Sequence, residues 1–315
     1  MPHFLITGGA GFIGSNLAHF LLSQGHKLTV VDDFSTGRTS NLAGIEDKIT
    51  LVRASICDTD TLRSAFAGVD YCLHQAAIPS VPRSVADPLA SNRANVEGTL
   101  SVLLAARDAG VRRVVLASSS SVYGPGTGQF LSESLPRSPI SPYAVSKAAC
   151  EMYAEVFTRL YGMEIVALRY FNVFGPRQDP MSPYAAVIPL FIRRMMRGEP
   201  PIIYGDGLQA RDFTYVDNVV EANVRACEHP GPLHGIFNVG CGNSVRVLDL
   251  AAALNTLLGI DLPPEFAPAR SGDIRDSCAD ITRAREAFGY HPLINFVEGL
   301  RRTAGWLRTE ESLEL

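Results

Sequence analysis

A glycine-rich turn near the start of the chain constrains its fold more than any other feature. The turn, residues 8–14 with the order Gly-Gly-Ala-Gly-Phe-Ile-Gly, follows the short apolar segment His3–Thr7 and opens the helical pattern Phe12–Ser23. Glycine suits such a turn because the turn is tight and because the helix must pack closely on the strand. The helix N-terminus then offers N–H groups and partial positive charge to a phosphate. The turn therefore predicts a phosphate cradle formed by Gly8, Gly11, Phe12, Ile13 and Gly14.

The first half of the chain alternates short apolar segments with longer helical patterns. The predicted strands are residues 3–7, 28–31, 50–53, 71–74, 113–117 and 164–169, and the predicted helices are 12–23, 59–66, 95–109 and 143–161. The strands are nearly continuous runs of Val, Leu and Ile, which is typical of strands buried on both faces of a parallel sheet. We expect an α/β fold with a doubly wound parallel sheet. Residues 213–228 and 235–239 could return to it after a Pro- and Gly-rich stretch.

Two acidic residues end the second predicted strand. Asp32 stands where a carboxylate grips the adenosine ribose hydroxyls of a dinucleotide, and Asp33 adds a second negative charge. The pair repels a 2′-phosphate and therefore favours NAD over NADP. Arg38 is the nearby cation that could reach such a phosphate, so it argues in the other direction.

Further positions at the strand ends are candidates for the cofactor wall. Ile56 and Asp58 follow the third strand, where Asp58 could accept from the adenine amine or, equally well, cap the next helix. After the fourth strand, Gln75, Ala76 and Ala77 are small or amide side chains that let a cofactor approach the backbone. His74 is expected to be a structural hydrogen-bonding group.

The chemistry-bearing pattern consists of serines followed by a tyrosine and a lysine. Ser118, Ser119, Ser120 and Ser121 close the fifth predicted strand, while Tyr143 and Lys147 stand four residues apart on one face of the following helix. An ammonium beside a phenol, with a nicotinamide cation nearby, stabilises the phenolate and makes it a base near neutral pH. A serine hydroxyl can hold the same substrate oxygen.

Composition excludes several classes of protein. The 315 residues carry a net charge of −4 with no basic block, so nucleic acid is not an expected partner. The longest apolar runs are far too short for a membrane span, and residues 1–6 lack the basic and apolar regions of a signal peptide. Six scattered cysteines without C-x-x-C spacing predict reduced core thiols in a cytoplasmic protein, and no metal site.

Five strings place the chain near a known family. They are LASSSSVYG at 116–124, SPYAVSK at 141–147, LRYFNVFG at 168–175, ARDFTYVDN at 210–218 and GDIRDSCAD at 272–280. Over nearly its whole length the chain resembles the extended short-chain dehydrogenase/reductases, and within them the UDP-hexose 4-epimerases. FNVFG followed by PRQDP and YAAVIP is similar to the bacterial branch that prefers UDP-N-acetylglucosamine and UDP-N-acetylgalactosamine.

The resemblance implies a Rossmann-type NAD-binding domain over 1–171, with 213–241 returning to it, and a smaller UDP-sugar-binding domain from 172–212 and 242–315. It implies Ser119, Tyr143 and Lys147 as catalytic residues, although four consecutive serines leave that register open. It adds Asn95 and Tyr170 to the NAD site. For the UDP-sugar it implies Ser120, Ser121, Tyr143, Asn172, Val187, Ile188, Arg211, Arg270, Asp273 and Ser277. Ser277 falls where narrower epimerase pockets carry a tyrosine, and a small side chain leaves room for an N-acetyl group.

Other functions stay open on the same scaffold. A 4,6-dehydratase is disfavoured because similar enzymes place Asp-Glu where this chain has Ser120 and Ser121. UDP-glucose could be the substrate instead, and so could UDP-glucuronate, whose carboxylate Arg83 could meet. A non-catalytic NAD-binding regulator would not need the tyrosine and lysine that are present. In similar proteins the helices at 88–109 and 143–161 pair across a two-fold axis as a four-helix bundle, which implies a homodimer.

Overall fold

The computed structural model describes residues 1–125, 130–179, 186–269 and 275–313. Its strands are β1 His3–Thr7, β2 Lys27–Asp32, β3 Thr50–Arg53, β4 Tyr71–His74, β5 Arg113–Ser119, β6 Ile165–Tyr170, β7 Val173–Phe174, β8 Ile202–Tyr204, β9 Ala210–Arg211, β10 Thr214–Tyr215, β11 Gly235–Val239, β12 Val245–Arg246, β13 Glu265–Ala267 and β14 Asp276–Ser277. Seven of them form one parallel sheet in the order β11-β6-β5-β4-β1-β2-β3. This is the predicted doubly wound arrangement.

Helices cover both faces of the sheet. They are α1 Phe12–Ser23, α2 Thr59–Ala65, α3 Val81–Ala86, α4 Pro88–Asn92, α5 Gly98–Asp108, α6 Pro142–Tyr161, α7 Val187–Met196, α8 Val216–Glu228, α9 Val247–Leu258, α10 Thr282–Phe288 and α11 Phe296–Leu313. Successive residues of β1 enter opposite clusters: Phe4 and Ile6 pack with α1 and α8, while Leu5 packs with α2, α5 and α6. Both faces of β1 are therefore core, which explains its unbroken apolar sequence.

The six predicted strands are all present, within one or two residues at their ends. The segment 235–239 does return to the sheet, as edge strand β11 beside β6. The predicted helix at 95–109 differs, because a π-helical turn at Arg93–Glu97 separates α4 from α5. At Gly98 a Cβ would lie 2.5 Å from the Ile56 Cδ1 atom, so the helix packs closely there against the loop that follows β3.

A separate apolar cluster lies outside the main sheet. It joins α7, α9 and α11 to Phe174, Phe213 and Tyr215, all of which follow β6 in the chain. Beside it, β9 pairs with β12 and β14, and this small sheet sets Ser277 opposite Arg211. Substrate-side candidates that are far apart in sequence are thereby brought together.

The described residues contain neither a membrane-spanning helix nor a metal-binding cluster. No helix there combines the length and apolar character needed to cross a bilayer. Within the same ranges no group of three or more His, Cys, Asp or Glu side chains could hold a metal ion. All six cysteines are free, and four of them are buried.

His74 links β1, β4 and α5 through a buried hydrogen-bonded chain. The Thr99 hydroxyl donates to the Asn95 carbonyl at 2.5 Å, so it accepts from the His74 Nε2–H at 2.9 Å. The His74 Nδ1 atom is then the acceptor of the Thr7 hydroxyl at 2.6 Å. Burial, reinforced by the Lys147 charge, lowers the pKa of His74 to about 3. His74 is a structural neutral imidazole, as its sequence position suggested.

The neutral His74 makes stability depend on pH in a defined direction. In the unfolded chain the imidazole of His74 is protonated below about pH 6.5, whereas in the native protein it stays neutral down to about pH 3. The free energy of unfolding is therefore at its full value above pH 6.5 and decreases as the pH falls below it. We expect the free energy of unfolding of the wild type, relative to His74→Gln, to fall by about 1.4 kcal/mol per pH unit between pH 6 and 4. Urea unfolding at several pH values measures it. His291→Gln, at an exposed histidine, is the control, and a pH-independent difference for His74→Gln would contradict the assignment.

Candidate active site

One large cavity of about 1150 Å³ opens at the carboxyl ends of the parallel strands. Such crevices are where ligands bind in open α/β sheets. Most of the sequence-predicted site residues line it, namely Gly8, Gly11, Phe12, Ile13, Gly14, Asp32, Asp33, Ile56, Gln75, Ala76, Ala77, Ser119, Ser120, Ser121, Tyr143, Lys147, Tyr170, Asn172, Arg211 and Ser277. The candidates for the cofactor site and those for the substrate site thus line the same cavity.

The glycine-rich turn is built as a close-packed cradle. A Cβ on Gly14 would lie 2.1 Å from the Gly8 carbonyl oxygen, and a Cβ on Gly8, whose φ is +70°, would lie 2.7 Å from the Ala76 nitrogen. Gly11 is the N-cap of α1, and no side chain of the described residues caps the helix. The N–H groups of the first turn are therefore available to an anion, as a dinucleotide pyrophosphate requires.

The two carboxylates at the end of β2 stand at one end of the same cavity. Asp32 is buried and accepts hydrogen bonds from the backbone N–H groups of Ala10 and Phe34, both at 2.8 Å. Burial raises its pKa, and the two backbone donors oppose that shift. Each carboxylate oxygen retains a second lone pair for a ribose hydroxyl. Arg38 also lines the cavity, with its guanidinium 3.5 Å from the Asp179 carboxylate.

Lys147 is fixed against the end of β5. Its ammonium donates to the Ala117 carbonyl at 2.8 Å, and the side chain is only 5% exposed. An ammonium has three N–H donors, so two are left for groups in the cavity that Tyr143 also lines. The phenol and the ammonium belong to successive turns of α6, which is the arrangement that the four-residue spacing predicts.

The four serines have different hydrogen-bonding environments. Ser118 is buried and donates to the Glu151 carboxylate at 2.6 Å, so its proton is committed to a protein group. Ser119 accepts from the Ser121 backbone N–H at 3.2 Å, which leaves its own hydroxyl proton for another acceptor. The Ser121 oxygen is buried and has no hydrogen-bond partner among the described residues. These contacts count against Ser118 and leave Ser119, Ser120 and Ser121 as candidates for the hydroxyl that meets a substrate oxygen.

Glu151 joins α6 to β5 and β6. This fully buried carboxylate accepts two hydrogen bonds from the Arg169 guanidinium, both at 2.8 Å, and one from Arg137 at 2.7 Å. Burial alone would raise the pKa of Glu151, but the Arg169 and Ser118 contacts outweigh it and hold the pKa below its ordinary value. Glu151 was not predicted as part of the site. Its signal is its position, one further helical turn after Lys147 on the same face.

A smaller cavity of about 250 Å³ adjoins the large one. Val187 and Ile188 line it together with Phe191, Tyr204, Gln209, Phe213 and Val247. Asn172 and Arg211 line both cavities and so lie at their border. Asn172 adopts φ +30°, a left-handed conformation that asparagine tolerates better than most residues.

Ser277 is held in place by the backbone of Asp212, whose buried carboxylate binds the neighbouring loops. The Asp212 backbone N–H donates to the Ser277 carbonyl at 2.8 Å, and the Asp212 side chain accepts from the N–H groups of Cys241, Gly242 and Ala279. Burial raises the pKa of Asp212 to about 6 against the pull of these donors. The Ser277 hydroxyl lies 3.4 Å from the Asn172 amide nitrogen. The residue is therefore fixed at the wall of the large cavity.

Four predicted site residues do not line either cavity or cannot be placed. The Asp58 carboxylate caps α2 by accepting from the Thr61 N–H, which is the alternative the sequence left open, and its adenine contact stays a prediction. Asn95 is buried and holds Ile78 and Ser146 by its side chain. Arg270 and Asp273 lie outside the described residues.

Arg177 is a cavity residue that the sequence reasoning missed. It lines the large cavity, adopts φ +68°, and donates to the Asn16 side chain of α1 at 2.8 Å. Its signal was available, because it stands in the PRQDP string directly after the FNVFG motif. That string does not predict the left-handed backbone conformation of Arg177 or its contact with α1.

Comparison with known proteins identifies the family. Residues 4–240 match the NAD dependent epimerase/dehydratase family. The chain is 42% identical over 312 residues to a UDP-glucose 4-epimerase of Mycolicibacterium smegmatis, covering 97% of this chain and 98% of that protein.

Two solved structures are similar along nearly the full length. A UDP-N-acetylglucosamine 4-epimerase from Methanobrevibacter ruminantium, in complex with UDP-N-acetylmuramic acid, superposes with a TM-score of 0.94 at 40% identity, covering 98% of this chain and 99% of that one. A Thermus thermophilus UDP-glucose 4-epimerase in complex with NAD gives 0.87 at 36% identity, covering 97% and 99%. With its glycine cradle and its Tyr143–Lys147 pair on one cavity, this chain belongs to the NAD dependent epimerase/dehydratase family.

Proposed function

We propose that the protein inverts the configuration at C4 of a UDP-hexose, most specifically by interconverting UDP-N-acetylglucosamine and UDP-N-acetylgalactosamine. The observation that carries the proposal is the shared cavity: Tyr143 and Lys147 line the same space as the glycine cradle and as Arg211 and Ser277. A C4 epimerase must combine an acid–base pair, a dinucleotide site and a sugar-nucleotide site.

Tyr143 is the proposed acid–base group. Its phenolate takes the proton of the sugar C4 hydroxyl and later returns it, while the Lys147 ammonium, fixed on Ala117, stabilises the phenolate charge. Ser119 is the proposed hydroxyl that donates to the same sugar oxygen, supported by the absence of a described acceptor for its proton. Ser120 and Ser121 are proposed to touch the sugar beside it.

The residues that would hold NAD suit its chemical groups. The uncapped α1 N-terminus faces the pyrophosphate, Asp32 and Asp33 the adenosine ribose, and Gln75, Ala76, Ala77, Lys147 and Tyr170 the nicotinamide half. Bound by these residues, NAD would supply the reversible hydride acceptor that inversion at C4 requires. The two carboxylates favour NAD over a 2′-phosphorylated cofactor.

The sugar-nucleotide contacts are proposed for both cavities. Arg211 lies at the border and suits the diphosphate, because a guanidinium forms paired charge-assisted hydrogen bonds. Val187 and Ile188 line the smaller cavity, which we assign to the nucleoside, and Asn172 stands between the two. Arg270 and Asp273 remain proposed contacts from sequence alone. The small Ser277 leaves space for an N-acetyl group at C2.

One other reaction and two other substrates compete with this proposal. The serines at 120 and 121 offer no carboxyl pair for elimination across C5 and C6, which argues against a 4,6-dehydratase. UDP-glucuronate keeps one supporting feature, since Arg83 lines the large cavity and makes no ion pair with a described residue. UDP-glucose remains the closest alternative because it differs from the proposed substrate only at C2.

The proposed division of labour follows the main sheet. Residues 1–171 and 213–241 contain all seven of its strands and would bind NAD, while 172–212 and 242–315 would bind the UDP-sugar. The six free cysteines agree with a reducing compartment, so we propose a cytoplasmic protein.

We further propose a homodimer through a four-helix bundle. The outer face of α6 carries Val145, Met152, Val156 and Leu160, all exposed, on the side of the helix opposite Tyr143, Lys147 and Glu151. Leu89 of α4, which packs beside α6, is 82% exposed. A continuous apolar surface of this kind is typical of a protein–protein interface, and a second copy would cover it with the same surface.

Replacing Tyr143 by phenylalanine tests the chemistry. Tyr143→Phe removes the proton carrier and keeps the ring, so kcat should fall by about 10²- to 10⁴-fold while the affinity for UDP-sugar changes little. Coupled assays of C4 inversion and calorimetric titration measure the two quantities. Tyr153→Phe, on the same helix but outside the cavity, is the matched control. Full activity of Tyr143→Phe would refute the assignment.

The size of residue 277 tests the substrate. In Ser277→Tyr the phenol should fill the space for the N-acetyl group, lowering kcat/KM for UDP-N-acetylglucosamine by at least about tenfold, as expected for a site that loses shape complementarity. Activity on UDP-glucose in the same variant is the internal control and should persist. Wild-type activity confined to UDP-glucuronate, or an equal loss on both substrates, would count against the N-acetyl preference.

Charges on the outer face of α6 test the dimer. Met152→Glu with Val156→Glu places two carboxylates where apolar side chains would be buried, so light scattering should report a monomer in place of a dimer. Leu293→Glu, at an exposed leucine away from this face, should remain a dimer. A wild-type protein of monomer mass would disprove the proposal directly.

A further inference from the structure

The first turn of α6, which carries Tyr143, has an unusual distribution of hydrogen bonds. Ser141 is the N-cap and its hydroxyl accepts from the Ala144 N–H at 3.2 Å. Pro142 follows and has no N–H to satisfy. The backbone N–H of Tyr143 lies too early in the helix for an intrahelical acceptor. The residue that would carry the acid–base phenol therefore needs an acceptor from elsewhere in the fold.

That acceptor is Ser84, on the neighbouring helix α3. The Ser84 hydroxyl oxygen accepts from the Tyr143 N–H at 3.0 Å and donates its proton to the Val81 carbonyl at 2.7 Å. The side chain is fully buried. With a donor and an acceptor both fixed, the Ser84 hydroxyl has one orientation, and it is the partner of the Tyr143 N–H.

The carbonyl side of Tyr143 is held as well. The Ser146 hydroxyl donates to the Tyr143 carbonyl at 2.7 Å and accepts from the Asn95 amide at 2.9 Å. The Asn95 side-chain oxygen in turn accepts from the Ile78 N–H at 2.7 Å. The segment 78–84 is thus tied to Tyr143 at both of its ends, through Asn95 and Ser146 at one and through Ser84 at the other.

The same segment forms a wall of the large cavity. Ile78, Pro79, Ser80, Val81 and Arg83 line it beside Tyr143. A ligand that contacts this wall contacts the segment 78–83, and the next residue, Ser84, bonds to the Tyr143 backbone. The position of Tyr143 therefore depends on the conformation of this part of the cavity wall.

We propose that Ser84 is a positioning residue for Tyr143: it fixes the backbone of the acid–base tyrosine from outside its own helix and couples that position to the cavity wall at 78–83. This rests on the proposed role of Tyr143. Ser84 itself does not line the cavity. Its contribution should appear in the rate of the chemical step, because small displacements of an acid–base group reduce turnover without removing any ligand contact.

Ser84→Ala removes the hydroxyl and adds no volume, so the NAD-loaded protein should fold. We expect kcat for the preferred UDP-sugar to fall about tenfold, with KM within about twofold of the wild type. The Tyr143 amide should also lose protection from hydrogen exchange, measured with overlapping peptides that differ by that amide. Thermal unfolding of each variant reports any general loss of stability.

Ser101→Ala is the matched control. It deletes another buried serine hydroxyl, which donates from α5 to the Glu97 carbonyl of the preceding π-helical turn, away from the cavity. A kcat for Ser84→Ala within about twofold of the wild type, an equal loss in Ser101→Ala, or a loss expressed mainly in KM would overturn the proposal.

Hydrogen exchange separates this proposal from the proposed function. If the wild-type protein inverted none of UDP-N-acetylglucosamine, UDP-glucose and UDP-glucuronate, the function would fail. The Tyr143 amide would still report whether Ser84 holds it, since exchange needs no substrate. Unchanged exchange of that amide in Ser84→Ala would overturn the positioning role whatever the activity.

Discussion

The arrangement of the site depends on how α6 is fastened to the ends of β5 and β6. Lys147 donates to the Ala117 carbonyl, and one turn later Glu151 receives Ser118 of β5 and Arg169 of β6. Removing one partner of such a buried pair costs roughly 3–5 kcal/mol, because the other charge is left unsatisfied. The helix therefore has one axial position relative to the sheet, and the cavity-lining Tyr143 and Lys147 inherit that position.

The two sides of α6 consequently carry different tasks. Tyr143, Lys147 and Glu151 follow one another at four-residue intervals on the side that meets the sheet, while the opposite side is apolar and exposed. Segment 78–84 reaches the first turn of the helix from the flank through Ser84, so that turn is held from a second direction besides the sheet.

Local patterns were enough to predict the sheet and the phosphate turn. β1 and α1 have the predicted bounds, because an unbroken apolar run and a glycine turn leave few alternatives. Contacts between distant segments were beyond such reasoning: the Ser84–Tyr143 and Ser118–Glu151 bonds join residues 59 and 33 positions apart. Asn95 shows the same limit, since the π-helical turn that surrounds it leaves no periodic signal and its amide is used inside the protein.

The position of the edge strand β11 in the chain affects folding during synthesis. It is synthesised roughly 65 residues after β6, its partner, which at ~5–20 residues per second is a delay of about 3–13 s. During that time the β6 edge, six buried residues long, has no neighbour on its outer side. An unpaired apolar edge is a template for aggregation. A ribosome that stalls before residue 235 would release a chain with most of its sheet formed and the β6 edge unpaired. Such a chain would be a substrate for a chaperone.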